Sequence, residues 1–189
     1  MTGQDPWIRA EMGGTKQASI ISKPEVLSAL MKKANHPIFL IGSESITDNK
    51  QSDLLITLIK NLKEKWNVPV ISTAHITGTL ISRGLVPNAS MGSMEIIDRL
   101  CDNKWQGLDG KGQYDLVILA GFSYTLGSLL LSGLKQCSWN TKKISLDPKY
   151  HPHATWSYGN MKFENWQKEI ERFFDIIKTD KKNMEESHV

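Results

Sequence analysis

Four short segments place chemically capable residues where an α/β protein would display them. They are Gly42-Ser43-Glu44, Thr73-Ala74-His75, Gly121-Phe122-Ser123 and Asp147-Pro148. Each follows or closes an apolar run that reads as a strand. Open parallel sheets bind ligands beyond the carboxyl ends of their strands, where the strand order reverses. Glycine closes two of the runs and lets a ligand or another backbone approach closely. Asp147 stands where dinucleotide-binding domains often carry a ribose-binding acid. The helices that follow would offer first-turn amides to a phosphate.

The glycine spacing argues the other way. There is no GxGxxG, because Gly42 is followed by Ser43 and Glu44 and Gly121 by Phe122 and Ser123. No GxxxxGK[ST] occurs either. A carboxylate at Glu44 would repel a phosphate unless it turned away. Ordinary strand-ending glycines are the simpler reading. His151-Pro-His153 offers two nitrogens on a proline loop, without the Cys or carboxylate partners a zinc site needs. Asp109-Gly-Lys-Gly lacks the alternating acids of a calcium loop and reads as a turn. Neither a GxSxG elbow nor an HExxH pair is present. Ser145 falls inside a strand, and Cys101 lies on an apolar helix face, which suits packing better than nucleophilic attack.

The elements that would hold these segments follow from period and punctuation. Ser22-Lys-Pro-Glu25 reads as a capping box before a helix whose face carries Val26, Leu27, Leu30, Met31 and Ala34. Residues 37–42 and 115–121 are continuous apolar runs, the pattern of strands buried on both faces. Residues 68–73 and 142–147 read as two further strands, with Pro69 near the start of the first. Helices are expected over 49–66 and 124–136, around Met94–Cys101, and over the stripe Trp166, Ile170, Phe173, Phe174 and Ile177. Residues 74–92 read as loop with one helical turn, 105–112 as a long turn, and 148–160 as loop. Strands alternating with helices at this spacing imply parallel βαβ units. The expected fold class is Rossmann-like α/β: three layers, α/β/α, around a mostly parallel sheet. The expected division is an N-terminal arm over 1–21, one α/β domain over 22–178 and a polar C-terminal tail over 179–189.

Composition narrows the function classes. The chain has 189 residues, enough for one domain with a sizeable core. Charged residues make up 23%, and 23 basic against 20 acidic side chains leave a net +3 with no clustering. Without a basic stripe, nucleic-acid binding is not expected. No apolar run is long enough to cross a membrane, and the first residues lack the pattern of a signal peptide. The two cysteines, Cys101 and Cys137, are isolated and read as reduced thiols of a cytoplasmic protein, unable alone to hold an iron–sulfur cluster. Six tryptophans are many for this length, and Trp7, Trp139 and Trp156 fall in arm or loop positions. Buried protein contacts favour Trp, which points to a subunit docked on a partner.

Four segments together carry a family resemblance. They are residues 36–42 (HPIFLIG), 105–115 (WQGLDGKGQYD), 144–147 (ISLD) and 154–160 (ATWSYGN). In this order they resemble the epsilon subunits of archaeal acetyl-CoA decarbonylase/synthase, partners of a CO dehydrogenase alpha subunit. The resemblance covers about residues 18–178 and implies several things. The fold would be like the cofactor-binding middle domain of thiamine-diphosphate enzymes, some of which hold FAD. The chain would be a non-catalytic accessory subunit in an alpha2epsilon2 assembly interconverting CO and CO2 in an anaerobic archaeal cytoplasm. Nickel–iron–sulfur clusters would belong to the alpha subunit, with FAD or ferredoxin as electron acceptor. A flavin held here would meet Gly42, Ser43, Gly121, Phe122 and Asp147. Two readings compete with this one: a free FAD- or nucleotide-binding electron-transfer module, and a sirtuin-like or deoxyhypusine-synthase-like enzyme with His75 as base.

Overall fold

The computed structural model describes residues 16–186, with the backbone alone described from 180 onward. Trp7 and most of the arm expected at the N-terminus lie outside the described residues. Strand β1 (Ser19–Ile20) leads into helix α1 (Pro24–Lys33) and strand β2 (Pro37–Ile41). Helix α2 (Asn49–Trp66), β3 (Val70–Thr73), α3 (Thr77–Ser82), β4 (Ala89–Met91) and α4 (Ser93–Cys101) follow. The second half comprises β5 (Leu116–Ala120), α5 (Tyr124–Cys137), β6 (Lys142–Ser145), β7 (Trp156–Ser157) and α6 (Phe163–Glu186). The seven strands form one sheet in the order β1-β7-β6-β5-β2-β3-β4, and every neighbouring pair is parallel. The Rossmann-like three-layer reading is thus correct.

The central strands show why both faces are covered. Phe39 and Ile41 of β2, with Leu116 and Ile118 of β5, point into one core under α1, α2 and α6. Ile38 and Leu40, with Val117 and Leu119, point into a second core under α4 and α5. A period of two along a strand distributes side chains to opposite faces, so a strand buried twice must be apolar throughout. Trp166 and Phe173 of α6 are almost fully buried, and Trp166 donates its indole N–H to the Leu146 carbonyl at 2.6 Å.

Several details differ from the sequence reading. Helix α1 caps on Lys23, which makes no side-chain cap bond, so Ser22 and Glu25 form no capping box. Pro24 is the reason: a residue before proline is pushed into extended geometry, and Lys23 has φ −148° and ψ 144°. The helix therefore starts one residue later than the box requires. The region read as loop at 74–92 contains β4 at a sheet edge, and the one at 148–160 contains β7. Ser19–Ile20 forms the other edge. The cysteines are also not free thiols. Cys101 ends α4 and Cys137 ends α5, and side-by-side packing of these helices brings their Cα atoms to 5.3 Å, within a disulfide.

Candidate functional site

The strand order reverses between β2 and β5, so the crevice beyond their carboxyl ends is where this architecture places a ligand. All five residues expected there meet at that end. Gly42 and Gly121 follow β2 and β5, Ser43 begins a 3₁₀ turn (Ser43–Ile46), and Phe122 and Asp147 lie alongside. His75 is exposed on the 3₁₀ turn after β3 (Ala74–Ile76) and is not among the residues lining the cleft beside Asp147.

Packing dictates both glycines. Gly121 has φ +73°, and a Cβ there would lie 2.5 Å from the Ser45 Cβ. A Cβ on Gly42 would lie 2.5 Å from the Gly121 carbonyl oxygen and 2.6 Å from the Phe122 ring. The Glu44 amide donates to that same Gly121 carbonyl at 2.7 Å, and the Ser45 hydroxyl donates to the Gly42 carbonyl at 2.5 Å. The two strand ends are therefore stitched to each other. Only glycine permits the approach.

Asp147 is the polar centre of the crevice. Its carboxyl accepts from the Gly121 amide at 2.7 Å and also from the Phe122 amide. Burial pushes it up to about 7 against these two bonds, with Glu44 adding to the rise and Lys149 opposing it. The other carboxyl oxygen lies 4.0 Å from Nε2 of His151. That separation is too long for a hydrogen bond. His151 is 1% exposed, and burial, helped by Lys149 and His153, pulls it down to about 4. Between these values both groups are neutral. The ring of Tyr124 stacks on His151 with centroids 4.9 Å apart, and Ser128 Oγ lies 3.3 Å from Nδ1. Gly127 makes room, since a Cβ there would come 3.0 Å from the imidazole.

Sequence reasoning singled out His151 only as half of a loop pair. No local signal places it under α5; the clue is Gly127, a helix-interior glycine whose role is to admit the ring.

The residues present do not fit a dinucleotide. The space a cofactor backbone would take over Gly42 is filled by the Gly121 carbonyl and the Phe122 ring. Asp147 is engaged with two backbone amides rather than turned towards a ribose. The open cleft beside it holds about 290 Å³, at the bottom of the range of small-molecule sites.

Two of the segments that carried the resemblance end in the crevice, at Gly42 and Asp147; the other two, 105–115 and 154–160, are structural devices. Tyr114 is buried, its hydroxyl accepts from the Leu108 amide at 2.9 Å, and His36 stacks on its ring at 4.1 Å. His36 Nε2 also meets Asp109 at 3.1 Å, while Asp115 accepts from the Asn35 and His36 amides at 2.7 and 3.0 Å. The turn at 105–112 is thereby locked onto the start of β2. In the last segment, Ser157 Oγ accepts from the His151 amide at 3.0 Å and Asn160 accepts from the Tyr150 amide at 3.1 Å. These bonds fold the 148–160 connection so that His151 faces Asp147.

Comparison with known proteins matches residues 2–177 to the family described as CO dehydrogenase beta subunit/acetyl-CoA synthase epsilon subunit. This chain belongs to that family. Among its relatives, the acetyl-CoA decarbonylase/synthase complex subunit epsilon of Methanothrix soehngenii is 32% identical over 84% of this chain and 82% of its own. Subunit epsilon of Methanothermobacter thermautotrophicus is 30% identical over 89% and 94%. Subunit epsilon 1 of Archaeoglobus fulgidus is 33% identical over 80% and 79%. The locked turn and the 148–160 connection both lie within the matched span. No helix among the described residues is long and apolar enough to cross a membrane.

Proposed function

We propose that this chain is the epsilon subunit of an acetyl-CoA decarbonylase/synthase complex and has no catalysis of its own. It docks on a CO dehydrogenase alpha subunit and stabilises an alpha2epsilon2 assembly that interconverts CO and CO2. The names of the relatives support membership of the complex. The observation that carries the accessory role is the closed strand-end crevice, where Phe122 and the Gly121 carbonyl occupy the ligand position over Gly42. Nickel–iron–sulfur chemistry then belongs to the alpha subunit, and ferredoxin or a flavin takes the electrons. Trp139, 83% exposed at the end of α5, is the kind of side chain that partner contacts bury.

The test is reconstitution of the complex with and without this chain. Turnover of CO per alpha subunit should hold while the activity's half-life on heating shortens without it, because a bound partner stabilises only what it binds. CO oxidation by this chain alone would refute the reading.

A second reading, a flavin- or nucleotide-binding electron-transfer module, rests on Gly42, Gly121 and Asp147 at the switch in strand order. It requires the Phe122 ring to leave Gly42. Fluorescence titration of FAD into the free chain and the complex tests it, with Phe122→Ala as comparison. The second reading stands if the unaltered protein binds FAD saturably and fails if neither sample does.

A further inference from the structure

Trp139 is the most exposed large apolar side chain among the described residues. It is not loose, because its indole N–H donates to the Gln136 carbonyl in the last turn of α5. An aromatic ring already held in place loses little freedom when a partner covers it. The ring borders a cleft of about 630 Å³ at the amino ends of β6 and β7, the end of the sheet opposite Gly42 and Asp147. Lys16, Lys135, Lys143 and His153 line this cleft together with Thr155, and among the described residues no Asp or Glu does. Lys143 stands in register with Val117 of β5, on the face packed under α5, and is 5% exposed. An ammonium carries three donors. This one donates to the Ser138 carbonyl and meets no carboxylate among the described residues. Burial, with repulsion from Lys135, pulls it down to about 8. A buried cation without a counter-ion costs stability, and an anion brought to it offsets part of that cost.

We propose that Trp139 and the cationic cleft beside it dock an acidic segment of the partner subunit, with a partner carboxylate entering the cleft towards Lys135 and Lys143. The proposal rests on the accessory-subunit reading and names the surface and the chemistry that this reading leaves open. Charge complementarity selects the occupant. A small free anion would answer the lysines but leave the indole bare in water. An apolar segment would cover the indole but close the cleft over the uncompensated Lys143 ammonium. An acidic segment lying across both covers the ring and supplies the missing counter-ion. A tryptophan beside a charge pair shielded from water is also the composition that carries most of the binding energy in protein interfaces.

The test measures the affinity of the full chain and its variants for the purified alpha subunit, without oxygen and at one ionic strength, by sedimentation. Trp139→Ala should weaken docking at least about tenfold. Lys135→Met should weaken it severalfold and Lys135→Glu further, the order that an acidic partner requires. Lys143→Met should weaken it about tenfold while the free chain melts no lower than the unaltered one, because the substitution removes a buried charge. A lysine with a merely structural role would lower the melt and leave the affinity alone. Lys168→Met, exposed on α6 across the sheet, should join as the unaltered chain does. The docking proposal is overturned, and the accessory-subunit reading left standing, if Trp139→Ala joins as tightly as the unaltered chain, or if Lys135→Glu and Lys143→Met do. Saturable binding of inorganic phosphate that Lys143→Met abolishes, with docking unchanged in that variant, would overturn it too and reassign the cleft to a free anion. An unaltered chain that does not join the alpha subunit overturns the accessory-subunit reading and this proposal with it.

Discussion

Replacing Asp147 by Asn should stabilise the protein above neutral pH. The carboxyl goes from 3.8 to about 7 on folding because burial outweighs the Gly121 and Phe122 amide bonds. Below pH 3.8 it is protonated folded and unfolded, and the difference vanishes. As pH rises from 3.8 to about 7, only the unfolded chain ionises, so stability is lost across that window and stays lost above it. The shift corresponds to at most about 4 kcal/mol. His151 acts in the opposite sense. Its folded value is depressed to about 4, so stability is lost as pH falls from 6.5 to about 4, by at most about 3 kcal/mol. The wild-type profile should therefore be nearly flat between about pH 4 and 6.5, because the two slopes cancel. Asp147→Asn keeps the Gly121 bond through its amide oxygen and removes one slope. Urea melts at pH 4.5, 6, 7 and 8.5 should show the variant matching wild type near pH 4 and exceeding it by up to about 4 kcal/mol at pH 8.5. A variant less stable than wild type at every pH would refute the reasoning: it would mean that an ionised Asp147 pairs with a protonated His151.

Phe173 is 2% exposed in the core under α6, so Phe173→Ala should cost about 3–5 kcal/mol in urea melts. A loss under about 1 kcal/mol would show that this face of α6 carries little of the fold. The Cys101–Cys137 bond closes a separation of 36 residues, for which chain entropy assigns about 4 kcal/mol. Cys101→Ser, or reductant, should lower the melting midpoint; identical melts with and without reductant would mean that the thiols are not joined in solution.

The central strands and most helices were legible because double burial forces an unbroken apolar run, as in Ile38–Ile41 and Leu116–Ala120, and single burial forces a helical stripe, as in α6. The edge strands were not. Ser19–Ile20, Ala89–Met91 and Trp156–Ser157 have two or three residues each, too few for any period. The capping box failed because Pro24 acts on the residue before it, a constraint that outranks the side-chain pattern. At the site, residue types sufficed to bring Gly42, Gly121, Phe122 and Asp147 together, since all follow strands. What they do was hidden: Phe122 closes over Gly42, a contact between segments some eighty positions apart that only the sheet order creates. His151 and the disulfide were missed for the same reason, because each depends on which helix packs beside which.

The native mass of the assembly that contains this chain, isolated without oxygen from cells that express it, tests the central claim most directly. The expected result is a heteromer in which this chain and an iron–sulfur CO dehydrogenase subunit occur in equal copy number. A lone monomer or a homodimer would contradict it, and the strand-end cleft would then have to be understood as the site of a free-standing protein.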